Sequence, residues 1–282
     1  MTLVTRNDIY NAQKAASVRR TTIFKRIAGA AFGTLISVSV ATAQEAPPVI
    51  VLPGSVNASF GSVGPLEPGN VLGNVTVEQG VTVWRRGPLF VMGFVDLTMR
   101  ADTQGLAWNN TLPHVSGAKV VLSGHAGVLQ AVVGVAGDLR RETPAGTRPA
   151  GYVSYWSGWY RSAGEVQLPG SMWATSGVTT ASEPDNWITA ARVEQGVTVK
   201  RIGRLSVVPF AAVSATTDTR DYGWNNRGSL DAGVKLQARI GGAAVDLGVA
   251  ERITRGWRSR ESDAAPVVFV NVWLGWMPRL TR

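Results

Sequence analysis

Two histidines, His114 and His125, are the only imidazoles in the 282 residues, and cysteine is absent. His114 falls in a long polar stretch and His125 in a short Gly-rich one. Neither recurs where other motifs of the chain do. They assemble no Ser-His-acid grouping for nucleophilic catalysis and no ligand set for a metal, and the glycines follow no phosphate-cradling pattern. The sequence therefore predicts no catalytic residue, no metal site, no cofactor and no enzymatic activity. What it offers instead is charge set in apolar surroundings. Glu78, Lys119, Arg192, Glu194, Lys200, Lys235, Arg239, Asp246 and Arg252 alternate with Val, Leu, Ile and Ala. A second group is the pair of Trp-Asn-Asn motifs, Trp108-Asn109-Asn110 and Trp224-Asn225-Asn226, with Asp102 and Asp218 just upstream. An indole face beside side-chain amides could hold a sugar, and Asn-rich turns could equally order a loop.

The elements that must position these groups are strands. Leu230, Ala232, Val234, Leu236, Ala238 and Ile240 take one face of a segment, and Asp231, Gly233, Lys235, Gln237 and Arg239 take the other. This is the period-2 signature. It recurs in Val245–Arg252 and Arg192–Lys200. Such alternation fits a soluble sandwich with its apolar face inward, or a transmembrane barrel with its apolar face in lipid and its charges in the lumen. Three features select the barrel. The alternating segments run to about 10–14 residues, whereas globular strands average about 5–6. Tight turns at residues 84–89, 123–127, 200–205 and 240–242 alternate with long polar loops. Aromatic residues gather near strand ends: Trp84, Tyr152, Tyr155, Trp156, Trp159, Tyr160, Trp187, Trp257, Trp273 and Trp276. Of these, Trp156 and Trp273 fall on the polar face.

The chain repeats itself. Val77-Glu78-Gln79-Gly80-Val81-Thr82-Val83 returns at 193–199, an offset of 116 residues. The same offset links Leu52-Pro53-Gly54-Ser55 to Leu168-Pro169-Gly170-Ser171 and Trp108 to Trp224, and Gly158-Trp159 returns at Gly275-Trp276. A fixed-period repeat governs the fold reading. It predicts one barrel, residues 52–282, made of two copies, 52–162 and 168–279. Five strong strands are visible per copy. An odd number would insert the second copy upside down, so a sixth, weakly patterned strand is expected at about 55–63 and 171–180, with 162–170 as the turn leading into the second. The expectation is an all-β, up-and-down antiparallel transmembrane barrel of about 12 strands, with 10 as the alternative.

Residues 1–43 read as a secretory signal for the Sec pathway: Arg19, Arg20, Lys25 and Arg26, an apolar run, then Ala41-Thr42-Ala43 as a cleavage site. A short leader, 44–51, follows. Removing 1–43 takes away six basic residues and one acidic one, so the net charge falls from +9 to +4. That balance gives no reason to expect nucleic acid as a partner.

The signal, the lack of cysteine, the long alternating strands and a final strand at Val267–Met277 resemble Gram-negative outer-membrane β-barrel proteins over residues 52–279. The Glu-Gln-Gly, Trp-Asn-Asn and Trp-x-Gly-Trp elements (Trp156–Trp159 and Trp273–Trp276) resemble, more loosely, barrel domains of exopolysaccharide or cellulose export systems. Such barrels usually end on an aromatic residue, whereas Pro278–Arg282 follow the last strand here. The resemblance implies an outer-membrane location, lipid and the barrel-assembly machinery as partners, and polysaccharide or small solutes as cargo. Three functions are carried forward: a narrow channel or secretion-associated pore, a non-enzymatic adhesin, receptor or anchoring barrel, and secreted tandem β-domains that bind carbohydrate. In the first, the lumen charges form either a structural ladder or a binding wall.

Overall fold

The computed structural model describes residues 50–64, 67–140, 146–178, 185–223, 225–257 and 262–280. The signal and leader expectations, apart from the leader's last two residues, and Trp224 lie outside them. All the described residues fall in one compact unit, Val49–Arg282, and none of them is helical.

Twelve strands follow one another around a closed wall: β1 Gly54–Ser62, β2 Val71–Arg86, β3 Leu89–Asp102, β4 Pro113–Gly124, β5 Gly127–Asp138, β6 Arg148–Ala163, β7 Val166–Val178, β8 Ile188–Gly196 continued by Lys200–Ile202, β9 Leu205–Asp218, β10 Arg227–Ile240, β11 Ala243–Gly256 and β12 Ser262–Trp276. Each pairs antiparallel with its sequence neighbour, and β12 pairs with β1 from Phe269↔Gly61 to Trp276↔Gly54, which closes the ring. Strand count and closure match the 12-strand expectation and set aside both the ten-strand alternative and the tandem-domain reading, since the two repeats share one sheet. Five connections are two-residue turns (87–88, 125–126, 164–165, 203–204, 241–242), and both ends of the barrel chain lie at that rim. There Ile50 pairs with Leu280 and Val51 with Arg279, and the Leu52 amide donates to Pro278 O. Gly87, Gly164, Gly203 and Gly241 adopt φ near +60°, the left-handed conformation that tight hairpin turns require and glycine adopts without strain. The other six connections are longer, five to ten residues.

The turn expected at 162–170 is only residues 164–165, and Leu168-Pro169-Gly170 belongs to β7. Proline inside a strand lacks the ladder donor. The carbonyl of Pro169 keeps a partner, accepting from the Gln195 side-chain amide at 3.0 Å.

Alternation sorts the wall into two faces. Val77, Val95, Leu97, Val133, Val193, Val213, Val234, Leu236, Leu247, Val249 and Val268 all point outward and are exposed. Their strand neighbours point inward. Met92, Phe94, Val121 and Val132 form one buried inner cluster, joined by Tyr152; Phe210, Ala212, Ala250 and Val267 form another, joined by Phe269. Hydrophobic side chains are therefore outside as a broad band, and the buried ones inside gather in two clusters. A water-exposed protein rarely carries so extended an apolar surface.

Candidate functional site

The inner wall holds two related charge clusters at positions 116 residues apart. In the first, Lys119 on β4 reaches over β3 to Glu78 on β2, Nζ–Oε1 2.5 Å, with its ammonium 4.8 Å from the centre of the Phe94 ring. In the second, Lys235 on β10 reaches over β9 to Glu194 on β8 at 2.6 Å and over Phe210 at 5.7 Å. The lysines are 3% and 6% exposed. Long amphipathic stems lie along the wall and their heads meet an acid two strands away.

The second cluster extends further. Lys235 also holds Asp246 at 2.6 Å, and Asp246 accepts from Gln237. Arg192 donates to Glu194 at 3.2 Å and to Asp231 at 2.7 Å, and Asp231 also accepts two bonds from Arg252 at 2.8 and 3.0 Å. Three cations and three carboxylates thus interlock across β8, β10 and β11. Charges out of water need such partners. Arg239, inward at the short-turn rim, sits 4.1 Å over the Tyr160 ring, and the Tyr160 hydroxyl donates to Gln237 Oε1. These contacts bridge β6 and β10, strands separated by three others, and so narrow the lumen at that rim.

Eight of the nine expected lumen residues face inward. Lys200 does not. In β8 the residues 197–199 oppose only Val208 and Pro209, so the strand carries one extra residue and Lys200 pairs with Val207 on the outward face. The same bulge occurs in β2, where the register shifts between Thr82 and Trp84 and Trp84 turns outward. A bulge re-aims every side chain after it, and the unbroken alternation of Val197-Thr198-Val199 carries no sign of it. Among the expected girdle residues, Tyr152 and Tyr160 also face inward. Trp173, which the sequence reading did not single out, faces inward beside Arg192.

At the long-loop rim, Asp102 accepts hydrogen bonds from the side chains of Asn70, Asn109 and Asn110, each at 2.9 Å, and from the Leu106 amide at 3.0 Å. Asp218 does the same with Asn186, Asn225, Asn226 and the Tyr222 amide. Trp108 is exposed, and its indole N–H donates to Glu67. The amides that would face a sugar are turned onto the aspartates, so this geometry makes two ordered loop knots. Both aspartates end their strands, past the last large outward apolar residues Met99 and Val213. Partial burial pushes the Asp102 carboxyl up, but the amides of Asn109, Asn70 and Asn110 and the Leu106 N–H outweigh it and hold it at about 2, below the usual 3.8. Asp218 is likewise held low by Asn186, Asn225, Asn226 and Tyr222 against the opposing effect of burial.

The remaining repeated motifs form staples. Trp276 on β12 crosses Gly54 on β1 and donates its indole N–H to Gln79 on β2 at 3.1 Å. Trp159 on β6 crosses Gly170 on β7 to Gln195 on β8 at 3.0 Å. Each glutamine amide then donates to the backbone of the crossed strand or just before it, Pro53 O and Pro169 O. A Cβ on Gly54 or Gly170 would lie 2.4 Å from the indole, so the Leu-Pro-Gly, Glu-Gln-Gly and Gly-Trp elements are one interlocking unit used twice. Among the described residues, no group of His, Asp and Glu could hold a metal ion.

No protein-family model matches the chain, and no curated protein does either. Solved structures similar in strand layout include an outer membrane channel from Pseudomonas putida F1 (9% identity, 84% of this chain and 100% of that one, TM-score 0.42). Others are the beta domain of a Bordetella autotransporter (12%, 80% and 99%, TM-score 0.36) and the KdgM porin (5%, 79% and 99%, TM-score 0.36).

Proposed function

We propose that the chain is an integral outer-membrane barrel acting as a narrow, side-chain-constricted channel, without catalysis. The observation that carries this reading is the sorting of residues across one closed wall. A broad apolar band faces outward, where lipid would replace water, and the ionised groups face a shared lumen. Strands of 9–16 residues are long enough for a tilted crossing, which takes about 9–11. Insertion would need the barrel-assembly machinery, and the passing solutes would be small solutes or saccharide chains.

The test has two stages. The protein should fractionate with outer membranes and migrate differently on gels when boiled and unboiled. Purified protein should then give small, discrete conductance steps in planar bilayers. A soluble, heat-unmodifiable protein defeats the membrane reading. A second reading, a closed barrel that anchors or displays its long loops, draws on the near-complete pairing and burial of Lys119, Lys235 and Asp231. A heat-modifiable barrel that passes no current would select it over the channel.

A further inference from the structure

We propose that the lumen at the short-turn rim contains a saccharide-binding site in which the indole faces of Trp156 and Trp273 act as stacking platforms for neutral pyranose rings. The proposal deepens the channel reading by naming its substrate class.

The two tryptophans are off-pattern. Barrel aromatics belong to outward girdles, and lumens are polar. Yet Trp156 pairs with Val128, which packs on the inner Met92–Val132 cluster, so it faces inward. Trp273 lies on the face of Phe269, a member of the other inner cluster. They are not filler: Trp156 is 54% and Trp273 49% exposed, while the inner clusters are sealed. Each ring reaches toward the glycine two residues ahead with its benzo end. A Cβ on Gly158 would come 3.1 Å from the Trp156 ring, and one on Gly275 2.7 Å from the Trp273 ring. The missing side chains leave room for the benzo ends of the two indoles beside the wall, while about half of each residue stays exposed.

The rings stand on β6 and β12, six strands apart in a wall of twelve, and so on opposite sides. Both sit at the same rim, opposite Val128 and Ala244, the second residues of β5 and β11. Trp173 extends the first platform as the direct cross-strand neighbour of Trp156. Asn57 and Asn271 flank the second on the inward face. Flat apolar faces with nearby amides suit sugars, whose C–H faces stack while their hydroxyls accept and donate hydrogen bonds. The ligand class is neutral because the charge clusters deeper in the lumen neutralise one another and Arg239, at this rim, is already stacked on Tyr160.

The experiment uses the full-length protein folded in detergent micelles and isothermal titration with cellopentaose, maltopentaose and, as a charged comparator, a galacturonate pentamer. At least one neutral oligosaccharide should bind. Trp156→Leu and Trp273→Leu should each weaken it roughly 2- to 12-fold, the range of one aromatic stacking contact. Trp156→Phe, which keeps a ring, should restore most of the loss, and Trp84→Leu on the outer face should change nothing. Heat-modifiable migration checks that each variant is folded. Absence of binding by both neutral pentamers, equal binding by the Leu variants, or stronger binding of the galacturonate overturns the proposal. Conductance is read separately. A barrel that conducts and binds no sugar keeps the channel and loses the site; one that binds and does not conduct keeps the site and loses the channel.

Discussion

Removing the Lys235 ammonium tests the lumen ladder most directly. Lys235→Leu keeps the bulk of the stem against Phe210 but leaves Glu194 and Asp246 without the cation that both hold at 2.6 Å. Breaking a buried ion pair from one side costs about 3–5 kcal/mol. Here Glu194 keeps Arg192 and Asp246 keeps Gln237, which places the loss at the low end, about 3 kcal/mol. In a domain of this length 1 kcal/mol moves the melting midpoint by about 2–4 °C, so the expected drop is about 6–12 °C. Lys119→Leu strands only Glu78 and should cost less. Lys200→Leu, outward and exposed, should fall within about 0.5 kcal/mol of the parent. The assay is the temperature at which the unboiled gel band converts to the boiled one, measured on purified protein. The triple variant Lys235→Leu/Glu194→Gln/Asp246→Asn should recover much of the loss, because it removes the stranded charge rather than the packing. Equal midpoints for the Lys235 and Lys200 variants, or a triple variant no better than the single, would refute the ladder as a stabilising network.

The staples predict matched effects at positions 116 residues apart. Gly54→Ala and Gly170→Ala should each cost about 1–3 kcal/mol from overpacking against Trp276 and Trp159, and clearly unequal losses in thermal melts would argue against equivalent staples. Tyr160→Ala removes the bar to Gln237 and Arg239, so single-channel conductance should rise; an unchanged step would show that the constriction lies elsewhere. The Asp102 knot has a defined pH window. Its folded carboxyl sits at about 2, below the ordinary value near 3.9. Its contribution is therefore complete above about pH 4 and lost as pH falls through about 2. Side-chain amide NMR signals of Asn109 and Asn110 should be dispersed at pH 5 and change with a midpoint near pH 2; a midpoint near the ordinary value of about 3.9 would contradict the assignment.

Much of the fold was legible because its physics is local. An apolar residue at every second position in Leu230–Ile240, alternating with Asp231, Gly233, Lys235, Gln237 and Arg239, defines two faces, and closing an all-antiparallel ring requires an even strand count. The sixth strand of each copy was harder. Pro169 and Gly170 read as a turn, since Gln195 and Trp159, which hold this stretch in the wall, are reached only through the fold. Lys200 was misdirected by a bulge that leaves the alternation intact. The Trp-Asn-Asn loops offered amides whose destination only the fold reveals: Asp102 lies 7 and 8 residues from Asn109 and Asn110, but Asn70 arrives from another loop. The inward placement of Trp156 and Trp273 follows from parity alone, whereas the room for their benzo ends depends on Gly158 and Gly275.

The seam where the chain closes has a consequence for how the protein could be rewired. Trp276, Gly54 and Gln79 lock β12, β1 and β2 with the same parts that lock β6, β7 and β8. The two ends of the barrel segment already meet at the same rim, through Ile50 and Leu280. The junction of last strand to first therefore carries the same staple as the internal β6–β7 hairpin, over a shorter ladder of eight paired positions against thirteen. A circular permutant, joined across its present ends and opened within the exposed turn at residues 164–165, would exchange the leading and trailing halves while keeping every staple, and exposed turns of this kind are where chains tolerate such cuts. In this barrel, which half comes first is a matter of where the gene begins rather than of what the wall requires.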